Sequence, residues 1–382
     1  MCGIAGIIRA GGAPVDPGVL GRMVAALVHR GPDEEGVWID ARGGAGLGVR
    51  RLAVIDPPGS HQPMANEDDS LHLAYNGEIY NYGALRRRLE ACGHRFASAG
   101  DTEVLVHLYE DDGPNLLARL VGMFAFALWD AKARRLLLAR DRLGQKPLYW
   151  SHGPTGLAFA SEPAALLECP DVPRDLDPQA IGTFLRFGYV PAPATGLAGI
   201  RKLEPAHYLE FDAAANRIAG PTRYWDVPRG PPDAETSPAA WRDRLLATLS
   251  AAVRARLAAD VPLGVVLSGG LDSSAVAALA AEHAGGRLRT FLPGPRSPAR
   301  RDGGAVGRRR RRIVRRVPAA CRHGDERRVG RLHTAAAGGV RPADAPASRP
   351  QEPVERCAAV PVGPRPRPAA AIPGLAVTVL ER

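Results

Sequence analysis

Lysine is almost missing from this chain: Lys132, Lys146 and Lys202 are the three it has, against 47 arginines in 382 residues. Cysteine is sparse too. Cys2, Cys92, Cys169, Cys321 and Cys357 are far apart and odd in number, which excludes a disulfide framework and paired zinc-ligand spacing. The N-terminus lacks a basic segment followed by an apolar one, and no hydrophobic run is long enough to span a bilayer. These absences predict a reduced, cytoplasmic protein with no membrane partner. Negative charge is short only locally. The net charge of +10 arises from residues 291–382, where 20 arginines face 7 acidic residues, so residues 1–290 carry −3. A nucleic-acid surface needs basic residues displayed on a fold, and the body of this chain offers no such excess. No nucleic-acid partner is expected.

What is there begins at the first residues, Met1-Cys2-Gly3-Ile4-Ala5-Gly6-Ile7. If the initiator methionine is removed, Cys2 carries a thiol and a free α-amine together. A thiol with a reference pKa of ~8.5 is little ionised at neutral pH, and an α-amine titrating near ~7.7–8.0 can take its proton. Gly3–Ile8 reads as a buried strand that holds Cys2 in place. An incidental cysteine on an ordinary strand is the plainer reading of these residues alone.

Residues 1–226 read as one unit of strands and a few helices. Strands are predicted at Leu71–Tyr75, Met123–Trp129, Arg135–Ala139 and Leu157–Ala160, and helices at Tyr82–Cys92 and Thr102–Glu110. Met123–Leu128 is apolar on both faces, as a strand covered on two sides should be. Arg51–Asp56 reads as a strand running into a proline-rich turn, with Arg51 a candidate carboxylate fork. Asn76-Gly77 reads as a turn able to aim an amide and a backbone N–H at one spot, the geometry of an oxyanion hole. Asp101 falls at a predicted helix N-cap, where capping and binding of a substrate ammonium are both open. His29, His61, His94 and His107 show no ligand spacing and read as structural, so no metal ligand is assigned.

Together these segments resemble the class II glutamine amidotransferases, in particular the glutamine-hydrolysing asparagine synthetases. The resemblance rests on Met1–Gly6, His29–Asp33, Arg51-Leu52, Gln62–Met64, Asn76–Asn81, Gly100–Glu103, Gly122–Ala127, Ala139–Asp141, Lys146–Tyr149 and Phe159–Glu162, in order. It implies an α+β N-terminal nucleophile hydrolase sandwich with α/β/β/α layers. It also implies that Cys2 is the nucleophile, that Asn76 and Gly77 form the oxyanion hole, and that Arg51, Leu52, Val54, Glu78 and Asp101 bind glutamine. A thioester, release of ammonia and hydrolysis to glutamate would follow.

Val227–Pro238 is proline-rich, and residues 227–240 are predicted to be a linker. Trp241, Leu245, Leu249, Val253 and Leu257 then mark an amphipathic helix, followed by a strand at Val261–Leu267 and a helix from about Asp272 to His283. Between them Leu267, Ser268, Gly269, Gly270, Asp272, Ser273 and Ser274 form a glycine-rich strand-to-helix turn, suited to a phosphate but without the lysine of the common P-loop. It resembles the pyrophosphate loop of ATP pyrophosphatases. Residues 241–290 are thus the expected start of a Rossmann-like ATP-pyrophosphatase domain, taking ATP with Mg2+ as co-substrate and no prosthetic group. The implied partners are glutamine, aspartate and ATP, with a homodimer as a candidate assembly.

From residue 291 the pattern stops. One aromatic residue remains, Phe291, and 13 of the 35 prolines fall here. A disordered tail is expected, read out of frame or truncated, because the family's later Ser-Gly-Glu-Gly-Ser-Asp-Glu segment has no counterpart. Two alternatives stand beside the main reading: a relative that amidates another acceptor, and a non-catalytic regulatory remnant whose basic tail binds nucleic acid or acidic partners.

Overall fold

A strand buried on both faces dictates the layering of the first unit. In the computed structural model, which describes residues 1–230, 237–284, 288–291 and the backbone of 313–314, twelve strands of this unit form two sheets. In chain order they are β1 (Gly3–Arg9), β2 (Glu34–Ile39), β3 (Ala45–Arg51), β4 (Met64–Ala65), β5 (Leu71–Ile79), β6 (Gly122–Asp130), β7 (Arg135–Arg140), β8 (Tyr149–Gly153), β9 (Gly156–Ala160), β10 (Arg201–Lys202), β11 (His207–Asp212) and β12 (Arg217–Arg223). Five α-helices accompany them: α1 (Pro17–Ala25), α2 (Tyr82–Ala91), α3 (Glu103–Asp112), α4 (Pro163–Leu166) and α5 (Pro178–Phe187). One sheet has the order β10-β8-β9-β1-β3-β2 and the other β12-β11-β7-β6-β5-β4. Every pairing in them is antiparallel.

Alternate residues of β6 point to opposite faces. Ala125, Ala127 and Trp129 join Ile4, Ile8, Leu47, Val49 and Phe159 in a core between the sheets. Phe124, Phe126 and Leu128 meet Leu85, Leu89, Val104, Leu105 and Leu108 of α2 and α3. On the other sheet Ala5 and Ile7 of β1 pack on Leu20, Met23 and Val24 of α1. Helix, sheet, sheet and helix thus make four layers, and each fully buried large side chain contributes about 1.5–3 kcal/mol.

Three local expectations are corrected. Asn76-Gly77 is no turn: β5 runs through it to Ile79, paired with β6 from Leu71–Asp130 to Ile79–Gly122. The pairing energy of a central strand overrides the turn preference of the dipeptide. The strand expected over Arg51–Asp56 ends at Arg51, because the next residues are drawn into a loop described below. Thr102, not Asp101, occupies the N-cap of α3, and the Asp101 side chain reaches elsewhere.

The contacts divide the chain into two units, the first being Met1–Trp241 with Ala258–Val261, the second Arg242–Leu257 with the residues from Pro262 on. In the second, α6 (Pro238–Ala255) precedes β13 (Gly264–Val266), α7 (Leu271–His283) and β14 (Arg289–Phe291), and β13 pairs in parallel with β14. The strand expected at Val261–Leu267 is shorter by the residues flanking it. Val253, Val265, Ala277, Ala280 and Leu288 form its core. β15 (Ile313–Val314) pairs antiparallel with β14, which puts two strand residues in a stretch expected to lack strands. The middle of the expected linker (231–236) and the rest of the expected tail lie outside the described residues.

Candidate active site

Cys2 sits at the start of β1, the strand held between β3 and β9. The register Gly3–Arg50 carries Arg51 and Leu52 past the end of that pairing and onto Cys2. The Leu52 backbone N–H lies 3.4 Å from the Cys2 Sγ, and the Leu52 carbonyl is 3.7 Å away as an acceptor for the thiol. Arg30 Nε donates to the Cys2 carbonyl at 3.0 Å, while its Nη1 pairs with Glu162 at 2.8 Å. Burial pushes the Cys2 thiol up; the Leu52 hydrogen bond, the N-terminal ammonium, Lys146 and Arg51 work against it. Burial likewise lowers the Met1 α-ammonium, the N-terminal group of this structure, below its ordinary value. A buried thiol whose burial disfavours the thiolate needs a base nearby.

β5 lies on the facing sheet and packs against both β1 and β3. Asn76 is 1% exposed, and neither Oδ1 nor Nδ2 of its carboxamide has a hydrogen-bond partner. Leaving such an amide unpaired costs about 1–3 kcal/mol, so it marks a group kept for a visitor. Tyr75 N–H donates to Gln62 Oε1 at 2.8 Å and Ile79 N–H to Asp101 Oδ2 at 2.8 Å. By strand alternation the Gly77 N–H lies on that same edge, away from β6. Gly77 has to be glycine: a Cβ there would come within 2.4 Å of the Met123 carbonyl and 2.8 Å of Phe124 Cα.

Asp101 Oδ2 also accepts the Tyr75 hydroxyl at 2.7 Å, and burial raises its carboxyl despite those two donors. Arg51 is buried, and both terminal nitrogens are engaged: Nη1 with Glu34 at 3.0 Å and the Pro57 carbonyl at 2.8 Å, Nη2 with the carbonyls of Ile55 and Asp56 at 3.2 and 2.9 Å. Its fork therefore shapes the 52–57 loop. Val54 joins the site through its backbone, its carbonyl accepting from Asp260 N–H at 3.0 Å. Asp56 ties the loop to the Asp101 segment, accepting from Ala99 N–H at 2.8 Å. Glu78 enters through Lys146, a buried lysine whose ammonium is lowered by burial and raised again by Glu78 and Cys2. Lys146 and Gln62 stood in the motifs that carry the resemblance but, like Tyr75, were given no role by sequence.

In the second unit, Leu267 N–H bonds the Phe291 carbonyl at 2.9 Å, and Gly269 turns the chain with φ +82°. Gly270 caps α7; Ser273 and Ser274 hydroxyls donate to its carbonyl at 3.1 and 2.8 Å, and Ser268 Oγ lies 2.9 Å from Ser273 Oγ. Asp272 stands in the first turn of the helix. A cradle at the carboxyl end of a parallel strand, with glycine on a left-handed turn and a helix N-terminus beyond, fits a phosphate.

The sequence comparisons bear on both units. Residues 1–225 match the family model of the glutamine amidotransferase domain. The chain belongs to the glutamine amidotransferase family. Residues 244–303 match the asparagine synthase family as well. It is 38% identical to asparagine synthetase [glutamine-hydrolyzing] 3 of Bacillus subtilis over 74% of its own length and 46% of that protein's. It is also 38% identical to a putative asparagine synthetase [glutamine-hydrolyzing] of Mycobacterium tuberculosis, over 77% and 48%. The chain thus spans about half the length of the curated relatives it matches. Among solved structures it is similar to the glutamine phosphoribosylpyrophosphate amidotransferase of Bacillus subtilis, with 23% identity, TM-score 0.44, and 74% of this chain and 64% of that one covered. No helix of the described residues is long and apolar enough to cross a membrane.

Proposed function

We propose that this chain hydrolyses glutamine at Cys2 and releases the amide nitrogen as ammonia, the first half of a glutamine-dependent amidation of asparagine synthetase type. The observation that carries the reading is the buried, unpartnered Asn76 carboxamide on the strand facing β1. With Met1 removed, the α-amine of Cys2 takes the thiol proton. Sγ then bonds to the glutamine amide carbon, and the negative charge moves onto its oxygen, toward Asn76 Nδ2 and the Gly77 N–H. Collapse breaks the C–N bond, ammonia leaves with the proton from the amine, and a γ-glutamyl thioester remains. Water cleaves the thioester to glutamate and restores the thiol.

Glutamine is held in this reading by the loop that Arg51 shapes, with Leu52 and Val54 on it, and by Glu78 and Asp101 near its amino group. Arg51 contributes its charge toward the α-carboxylate. The Leu267–Ser274 cradle would hold the phosphates of ATP, whose Mg2+ complex would supply the activation of an acceptor carboxylate; aspartate is the acceptor proposed, on the relatives' names. In this reading the glutaminase half is the active one, and the synthetase half is proposed to be inactive, residues 292–382 holding no Ser-Gly-Glu-Gly-Ser-Asp-Glu segment. The test is glutamate release by the purified chain. Activity that Cys2→Ala reduces to background supports the reading, and activity that survives the substitution contradicts it. Aspartate-dependent release of pyrophosphate would overturn the assignment of the second half.

A further inference from the structure

Away from the thiol, the fold assembles two histidines that the sequence spacing kept apart. His107 and Glu110 are three residues apart on α3, and so share one face of that helix. His94 comes from the connection between α2 and α3. Nδ1 of His107 lies 2.9 Å from Glu110 Oε2, and Nδ1 of His94 lies 3.5 Å from the same oxygen. One ligand atom from each of the three residues falls within 4.8 Å of the others. Glu67 Oε2, 3.9 Å from His107 Nδ1, stands as a fourth donor from the turn between β4 and β5. Tetrahedral zinc bonded at 2.0–2.1 Å sets its ligands about 3.4 Å apart, a spacing these donors bracket from 2.9 to 3.9 Å.

The surroundings are arranged as a metal's outer shell is. The other oxygen of Glu110 is occupied by Asn66 Nδ2 at 2.8 Å, which leaves Oε2 for the histidines. The far nitrogen of His94 meets Asp111 Oδ1 at 3.1 Å, and that of His107 faces Glu103 Oε1 at 3.6 Å. Glu103 is itself fixed by the backbone N–H groups of Ala97 and Ser98, at 2.8 and 2.7 Å. His94 thus turns Nδ1 inward and Nε2 onto a carboxylate, the arrangement that orients metal-ligating histidines, while His107 Nε2 is buried without a hydrogen-bond partner. His107 is 1% exposed, and its ring packs edge-on against Phe96, which locks its direction.

Charge points the same way. Glu67, Glu103, Glu110 and Asp111 set four carboxylates around the two imidazoles, with the Lys132 ammonium also acting on Glu110. Such a carboxylate-rich surrounding suits a divalent cation. We propose that His94, His107 and Glu110, with Glu67, bind a divalent transition-metal ion of the zinc class, which staples the α2–α3 connection and the β4–β5 turn to α3. Two nitrogens and two carboxylates suit zinc better than magnesium or calcium, which prefer all-oxygen sites.

The experiment uses the tag-free full chain carrying Cys2→Ala, so that the active-site thiol offers no competing ligand. After chelator treatment, zinc chloride is titrated calorimetrically, and cobalt chloride is followed by visible absorption. One equivalent is expected to bind, with an intense tetrahedral cobalt band and a raised thermal midpoint. His94→Gln and Glu110→Gln lie at partly exposed positions and should fold; each should lose the cobalt band and weaken zinc by more than tenfold. Asp111→Asn should weaken it by about tenfold through the orientation of His94. Absence of stoichiometric binding overturns the proposal. So does binding that His94→Gln and Glu110→Gln leave unchanged while circular dichroism shows both folded.

Discussion

Asn76 separates function from stability at a single residue. Its carboxamide sits buried without a partner, so the folded protein loses little when the group is cut away. Asn76→Ala is expected to lower kcat by about 10²–10³-fold, as loss of one oxyanion donor does, while the thermal midpoint stays level or rises. Steady-state kinetics beside a melting curve check both halves of that statement. A fall in stability with kcat retained would make Asn76 a core residue and remove it from the chemistry. The residues of the proposed site were named from the sequence, Cys2, Asn76, Gly77 and Asp101 standing in motifs that a single chain can display. Their partners were not. That Asp101 receives the Tyr75 hydroxyl and the Ile79 N–H, or that Arg51 fills its fork with the carbonyls of Ile55–Pro57, depends on contacts made only after the chain has folded.

Strands show why the element-level reading worked where it did. β6 was readable because six consecutive apolar residues have to be covered on both faces, and the two cores it divides are there. β5 was read short because Asn-Gly favours a turn in isolation, and pairing with β6 along its whole length overrides that preference. Gly77→Ala tests this pairing. The added Cβ meets backbone atoms of Met123 and Phe124, which cannot rotate away, so the variant should lose about 1–3 kcal/mol in urea unfolding. A neutral result would show that the two strands have slack. β2 and β3 carry a second test through Glu34. Burial alone would raise its carboxyl, but hydrogen bonds from His61 and Arg51 hold it below the ordinary 4.5. A lowered carboxyl contributes stability above its unfolded value, and that contribution is lost as pH falls through the folded one. Glu34→Gln should therefore narrow the stability gap between neutral pH and the acid side of 4.5. Equal gaps in both proteins would mean that the ion pair carries no pH dependence.

Across the whole molecule, the 52–57 loop, proposed to hold glutamine, depends on a residue far away in sequence. Asp260, part of the first unit, accepts from Asp56 N–H at 2.7 Å and donates its own N–H to the Val54 carbonyl. Asp260→Ala leaves the Asp56 N–H unpaired, at a cost of about 1 kcal/mol, and should raise KM for glutamine about fivefold with kcat retained. An unchanged KM would show the loop to be self-supporting. Nothing in the sequence linked Asp260 to this loop, since it lies beyond a helix from which no motif pointed back. The thiol at the head of β1 remains the centre of the account, and acid quenching during turnover tests it most directly. Peptide mapping by mass spectrometry of the chain quenched with glutamine is predicted to find Met1 absent and a γ-glutamyl group on Cys2. An active preparation that keeps Met1, or that carries the adduct on another residue, would contradict it.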